Sequence, residues 1–209
     1  MAKRSYKQNC ALAHAVDAIG ERWSLLLIRE LMLGPRRYGE LNKALKGMGT
    51  NLLVSRLRDL ESVRIVRKVT RGRNHSYELT ESGRALEPAV LALIRWGMRY
   101  ADRGQVGYLH RPEWDLVALK ALFEPQAAAD QHISVVFADE KWGGWAAIRQ
   151  SALDIGLGER EGADVVVYGS VQDLFRPTGT IKPRLSGNVE KLQRFMAAFS
   201  DVGRSPNPS

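Results

Sequence analysis

Asn51, Ser55 and Arg58 share one helical face, and they are the residues of this chain best suited to act on another molecule. The chemistry they offer is recognition, not bond making. Asn and Arg each present two hydrogen-bonding groups side by side, matching an adenine or guanine edge in the DNA major groove. Ser can donate to a phosphate or a base, and Val54, at the margin of the face, can meet a thymine methyl. Thr50 opens the same segment. Further along, the basic turn Arg71-Gly72-Arg73-Asn74, with Arg67 and Lys68 before it, suits phosphates or an A·T-rich minor groove. Arg36 and Arg37 stand near the start of a preceding short helix, whose positive end reinforces phosphate binding. Arg56 lies nearer the buried edge, where it can support a neighbour or a phosphate.

The surrounding pattern supplies elements to hold these groups. Residues 21–33 form a strong helix signal with Trp23, Leu26, Leu27 and Leu31, and Gly34-Pro35 stops it. Tyr38, Leu41 and Leu45 repeat at i, i+3, i+7, the buried face of a short helix, and residues 46–49 turn the chain. Thr50 is placed to cap the next helix, residues 50–62, in which Leu53, Leu57 and Leu60 share the face opposite Asn51 and Arg58. Residues 66–70 and 75–79 alternate as a hairpin around the basic turn. Helix, turn, helix and basic hairpin make a winged helix-turn-helix, which lays one helix in the major groove with a charged wing beside it. A long helix is expected over residues 80–102, capped by Thr80, with Leu86, Val90, Leu93, Ile94, Trp96 and Gly97 on a broad apolar face. That surplus serves a homodimer, or packing against the chain's own second half. A two-fold dimer implies a pseudo-palindromic operator.

Charge follows the same division. Residues 1–110 hold 20 Lys and Arg against 10 Asp and Glu, a net of +10, whereas residues 111–209 hold 11 against 13, a net of −2. Basic charge therefore gathers in the half expected to meet a polyanion. The single cysteine, Cys10, excludes an intramolecular disulfide and fits the reducing cytoplasm. The basic amino terminus lacks a sustained apolar core, and no long uncharged apolar run marks a membrane span. The four histidines have no metal-ligand spacing, no phosphate-loop signature occurs, and no carboxylates form an acid/base pair. Neither a cofactor nor an enzymatic activity is expected.

Composition shifts at residues 104–112, dividing the chain into domains at 1–104 and 113–200, with a disordered tail at 201–209. In the second domain, residues 114–123 and 188–199 read as amphipathic helices and 171–175 as a short one. Residues 133–138, a stretch within 145–155, and 163–168 read as strands, so the fold class is α+β.

Residues 10–100 resemble the HxlR-type family of bacterial winged helix-turn-helix regulators. The resemblance rests on Cys10, Ile19-Gly20 with Trp23, Gly34-Pro35-Arg36-Arg37-Tyr38, Leu57-Arg58-Asp59-Leu60-Glu61, Tyr77-Glu78-Leu79-Thr80 and Trp96-Gly97. It implies a homodimeric transcription factor, here read as a repressor, recognising double-stranded DNA through residues 50–62. The chain departs from the family at Ala11, which follows Cys10, at Arg64 before the first wing strand, and in lacking a wing proline among residues 73–76. Some members sense electrophiles or oxidants through the cysteine matching Cys10. Lys3, Arg4 and Lys7 favour a thiolate there, and the alternative is a buried packing residue near the dimer interface. Residues 163–175 and 185–199 resemble the sterol carrier protein type-2 fold, which implies a sheet covered by helices around an apolar cavity for a hydrophobic effector. Phe137, Trp145, Leu174, Phe175, Leu192, Phe195, Met196 and Phe199 are the expected lining; filling the core is their alternative role. The competing function is a lipid-binding carrier whose helical half serves protein association.

Overall fold

Leucine spacing organises the first part of the chain. The computed structural model describes residues 5–100, 109–139, 142–175 and 183–200, and the chain divides into two units, Met1–Val90 and Leu91–Ser209. The tail expected at 201–209 lies outside the described residues, as do Lys3 and Arg4.

In the first unit, α1 (Ala11–Ile19), which the sequence reading did not anticipate, leads to α2 (Ser24–Met32), α3 (Tyr38–Ala44) and α4 (Thr50–Ser62). Helix α2 starts later than expected because Trp23 takes a left-handed conformation, φ 80°, just before it. Leu27, Ile28, Leu41, Leu53 and Leu60 are fully buried and Leu57 nearly so. Each such side chain contributes about 1.5–3 kcal/mol by leaving water, so the leucine stripe of α4 holds that helix in the core of the first unit, where it packs on the strand that follows it. Gly49, not Thr50, is the N-cap of α4: its backbone is extended and its carbonyl accepts the Leu53 N–H at 3.0 Å. Thr50 is therefore the first helical residue.

Strands β1 (Val66–Arg71) and β2 (Asn74–Leu79) pair antiparallel around the two-residue turn Gly72-Arg73. Gly72 takes φ 60°, a conformation that costs glycine nothing and that suits the first position of a tight hairpin. The helix expected over residues 80–102 is broken into α5 (Glu81–Arg84) and α6 (Glu87–Tyr100). The cause is Pro88: inside a continuous helix its ring would strike the carbonyl of Arg84 and leave it without a donor. Placed in the first turn of α6, it does neither. Thr80 caps α5 as expected, its hydroxyl accepting the Gly83 N–H at 3.1 Å.

The second unit contains most of α6, then α7 (Pro112–Leu122), β3 (Ile133–Ala138), β4 (Gly143–Arg149), β5 (Ala152–Leu157), β6 (Val165–Tyr168), α8 (Val171–Phe175), β7 (Arg184–Gly187) and α9 (Val189–Ala197). The strands form one sheet in the order β5-β4-β3-β6-β7, antiparallel except for the β3–β6 pair. The one strand expected within residues 145–155 is a hairpin, β4 and β5, turned at Gln150-Ser151. Strand β7 escaped sequence reading because all four of its residues are exposed and none carries an apolar alternation. Helix α7 packs on β4 and β5, and α9 on β3 and β6.

Asp164 ties the start of the sheet to α9. Its Oδ2 accepts the Ser134 N–H at 2.8 Å and the Ser134 hydroxyl at 3.1 Å, and its Oδ1 accepts the Lys191 ammonium at 2.5 Å. Its carbonyl accepts the Asn188 N–H at 3.0 Å and lies where a Cβ on Gly187, φ 108°, would collide. Burial alone would raise the Asp164 pKa, but the Lys191 and Ser134 donors outweigh it and hold the carboxyl below its ordinary value. A depressed folded pKa contributes stability that is present above the unfolded value, about 3.9, and is lost as pH falls through the folded one. Asp164→Asn should therefore cost about 1–2 kcal/mol at pH 7, a charged hydrogen-bond value reduced because Lys191 is partly solvated. In urea unfolding the gap to the wild type narrows below about pH 4; a gap independent of pH contradicts the assignment.

Candidate nucleic-acid interface

Helix α4 buries its leucines and turns Thr50, Asn51, Val54, Ser55 and Arg58 to the surface. Its first turn is steadied by the Tyr38 hydroxyl, which donates to the Thr50 carbonyl at 3.3 Å. Lys68 on β1, Arg71 at its end and Arg73 in the turn are all exposed. So is Arg37 at the N-cap of α3, while its backbone N–H donates to the Glu40 carboxylate at 2.6 Å.

The arginines fall into two sets. Arg56 is held by Glu21 at 2.8 Å and Asp59 at 2.6 Å, which resolves its role in favour of supporting neighbours. Arg67 pairs with Glu78, its partner across the hairpin. Among the described residues, no ion pair holds Arg37, Arg58, Lys68, Arg71 or Arg73, so their charge is available to a polyanion.

Arg36 corrects the sequence reading. It was expected at a phosphate, but its side chain is 12% exposed and its guanidinium lies 3.7 Å from the carboxylate of the fully buried Glu30, which Arg29 also meets at 2.7 Å. The Arg36 backbone forms a bridge to the wing: its N–H donates to Tyr77 O at 2.9 Å, and the Tyr77 N–H donates to Arg36 O at 2.7 Å. A buried carboxylate demands a cation, and that demand takes Arg36 away from solvent. The signal in the sequence was Glu30 itself, a charge on the buried face of an apolar helix.

Sequence reasoning also missed Tyr77. Burial raises its phenol pKa, the Glu61 and Tyr38 side chains add to the rise, and the Arg58 charge opposes it. Tyr77 thus stays a neutral phenol.

Cys10 is exposed in the single chain and is the N-cap residue of α1. Backbone N–H groups of Ala13 and Leu12 face its sulfur and lower its pKa.

The expected ligand-lining residues of the second unit do not gather around a cavity. Phe137 and Phe195 are fully buried, and Leu192 and Phe199 nearly so. The Phe199 ring packs on Phe195, Phe123 and Phe175 with centroids 5.0, 5.8 and 5.5 Å away, which closes the space between them. Trp145 lies under the Arg160 guanidinium, and Leu174 and Met196 are half-buried. A cavity of about 350 Å³ opens elsewhere, among α6, α7 and α8, and of the expected residues only Phe175 lines it. No group of three or more His, Cys, Asp or Glu among the described residues is placed to hold a metal ion. No helix among them is long and apolar enough to cross a membrane.

A leucine-seated helix with a polar outer face, a preceding helix and turn, and a basic two-stranded wing define a winged helix-turn-helix. The model of the HxlR-like helix-turn-helix family matches residues 18–105. An uncharacterized HTH-type transcriptional regulator of Mycobacterium tuberculosis is 40% identical over 96 residues, 44% of this chain and 60% of that relative. Others are 35% identical in Synechocystis over 45% of this chain and 72% of the relative, and 31% identical in Bacillus subtilis (YdeP) over 46% and 77%. The chain belongs to the HxlR-like helix-turn-helix family. It spans 60% of the length of the mycobacterial relatives. Among solved structures, the redox regulator HypR in its oxidized form is 30% identical over 46% of this chain and all of its own, with a TM-score of 0.43.

The two adjacent arginines should behave differently on substitution. Arg36→Met removes the second cation from the buried Glu30 carboxylate, which keeps Arg29, and should cost about 1–3 kcal/mol in thermal unfolding. Arg37→Ala, at an exposed site, should stay within about 0.5 kcal/mol of wild type. Equal effects would contradict the buried pairing.

Proposed function

We propose that this protein is a cytoplasmic transcriptional repressor that reads a pseudo-palindromic operator as a homodimer. The observation that carries the reading is the outer face of α4. Asn51, Ser55 and the unpaired Arg58 face solvent there, and the neighbouring arginines are either spent in ion pairs or displayed on the wing. Arg58 takes a guanine edge, Asn51 an adenine edge and Val54 a thymine methyl. Thr50, Ser55, Arg37, Lys68, Arg71 and Arg73 serve the phosphates and the adjacent minor groove. Occupying a promoter blocks transcription without any further contact, which is why repression is the sign assigned.

The dimer surface is the outer face of α6. Leu93, Trp96 and Tyr100 recur at i, i+3, i+7 and are 51%, 60% and 62% exposed, an apolar stripe that a second copy would bury. The second unit is a sterol-carrier-like ligand module, a reading supported by its single five-stranded sheet, by the helices packed on it and by its apolar cavity. The exposed, acidified Cys10 thiol is a second input, open to electrophiles.

Gel-shift assays with the DNA flanking the protein's own gene test these roles together. Arg58→Ala should weaken specific binding roughly tenfold or more. Arg71→Ala should weaken specific and non-specific binding alike and lower the salt slope by about 1. Alkylation with iodoacetamide should alter the affinity of the wild type and leave Cys10→Ser unchanged. Weak, sequence-independent retention by wild type and Arg58→Ala alike would leave the carrier reading in place of the regulator.

A further inference from the structure

Alternation along the hairpin sorts the wing into two faces. Val66, Lys68 and Thr70 of β1 pair with Leu79, Tyr77 and His75 of β2 and share one face; Arg67, Val69 and Arg71 share the other with Glu78, Ser76 and Asn74. The first face runs from the core to the tip: Val66 and Leu79 are buried, Tyr77 is half-buried, and Lys68, Thr70 and His75 are exposed. Arg58 of α4 lies close enough to Tyr77 to oppose the rise in its pKa, so this face leads outward from the helix proposed to read bases. At its end the Thr70 hydroxyl and His75 Nδ1 stand 2.8 Å apart. Among the described residues that is the one hydrogen bond of His75, and it leaves Nε2 open.

The charges around His75 are cationic at the tip and balanced at the base. Lys68 stands diagonally across on the same face, and Arg71 and Arg73 flank the turn. Glu78, on the opposite face, is taken by Arg67. Of the elements packed on β2, α2 brings Glu30, which Arg29 and Arg36 meet; α3 brings Lys43 and Glu40, whose carboxylate accepts the Arg37 N–H; and α5 brings Glu81 and Arg84. Glu61 and Arg58 of α4 act at Tyr77. None of these carboxylates is hydrogen-bonded to His75.

We propose that His75 is a further DNA contact of the wing, donating from Nε2 to a phosphate and taking up a proton as the complex forms. This rests on reading the protein as a DNA-binding regulator, and it adds one residue and one proton to that reading. Histidine is the side chain that changes charge between about pH 5 and 8. Phosphates laid against Lys68, Arg71 and Arg73 bring negative charge to the imidazole, and negative charge favours the protonated ring. The Thr70 hydroxyl suits both states. It donates to Nδ1 of the neutral ring and accepts from Nδ1–H of the cation, so the ring keeps its orientation and Nε2–H remains a donor throughout. The balance is one proton passing from solvent to Nδ1, with no other bond made or broken. By linkage, a group that holds its proton more tightly in the complex makes affinity rise as pH falls. Arg71 and Arg73 attract DNA equally at every pH; His75 makes the attraction adjustable.

Fluorescence anisotropy titrations of the full chain against a mixed-sequence duplex DNA, at one low salt concentration and at pH 6, 7 and 8, test the assignment. A phosphate contact carries no sequence information, so the measurement needs no operator. Wild type should bind about fivefold tighter per wing at pH 6 than at pH 8. His75→Gln, which keeps a neutral N–H donor, should match wild type within about twofold at pH 8 and lose most of the gain at pH 6. His75→Arg, charged at every pH, should bind at pH 8 about as tightly as wild type does at pH 6. A wild-type affinity that does not change with pH, or a pH dependence that survives intact in His75→Gln, overturns the inference and leaves DNA binding in place. If none of the proteins binds the duplex at any pH, the regulator reading falls and this inference with it. The wild-type series stands even where a variant fails to fold.

Discussion

The buried carboxylate of Glu30 sets the terms for the first unit. An ion wholly removed from water is tolerated only beside opposite charge, and the chain supplies Arg29 from the same helix and Arg36 from the turn that follows. Meeting that demand fixes the path of the chain between α2 and α3. The same residue, through its backbone, exchanges two hydrogen bonds with Tyr77 and pins the wing. Helix α4 then rests on its leucine stripe, held to the start of α2 by Arg56 and Glu21. The outer face of α4 is thus positioned by apolar burial and by arginines that are mostly buried.

The second unit obeys different rules. Its order comes from one sheet and from Asp164, which draws the first residues of β3 and β6 to α9. Its phenylalanines satisfy one another, which makes a core and leaves no room for a guest there. Space remains where small residues, Gly97 and Ala118, face each other's helices across a wall that carries one carboxylate. Helix α6 begins in the first unit and lines this space in the second.

Much of the first unit was legible because its elements are amphipathic and punctuated. The helix expected at residues 50–62 is α4 residue for residue, since Leu53, Leu57 and Leu60 mark its period and the hairpin alternation marks where it must end. Arg36 was misassigned because a sequence displays a charge without its partner, and Glu30 lies six residues back, in the helix before the turn. The break at Pro88 was readable from proline chemistry but was masked by a strong apolar period on both sides. In the second unit, aromatic residues at helical spacing carry the same signature whether they fill a core or line a cavity. Only their mutual packing distinguishes the two, and the residues that do leave space open, glycine and alanine, give no apolar signal at all.

The central claim is that α4 reads bases in the major groove, with Arg58 on a guanine. Methylation of guanine N7 in the DNA flanking the gene, followed by separation of bound from free fragments, tests it most directly. The account predicts interference at guanines in two symmetric half-sites about one helical turn, or a multiple of it, apart. One position per half-site should lose its effect in Arg58→Ala. Binding indifferent to N7 methylation, or a pattern unchanged in that variant, would contradict it.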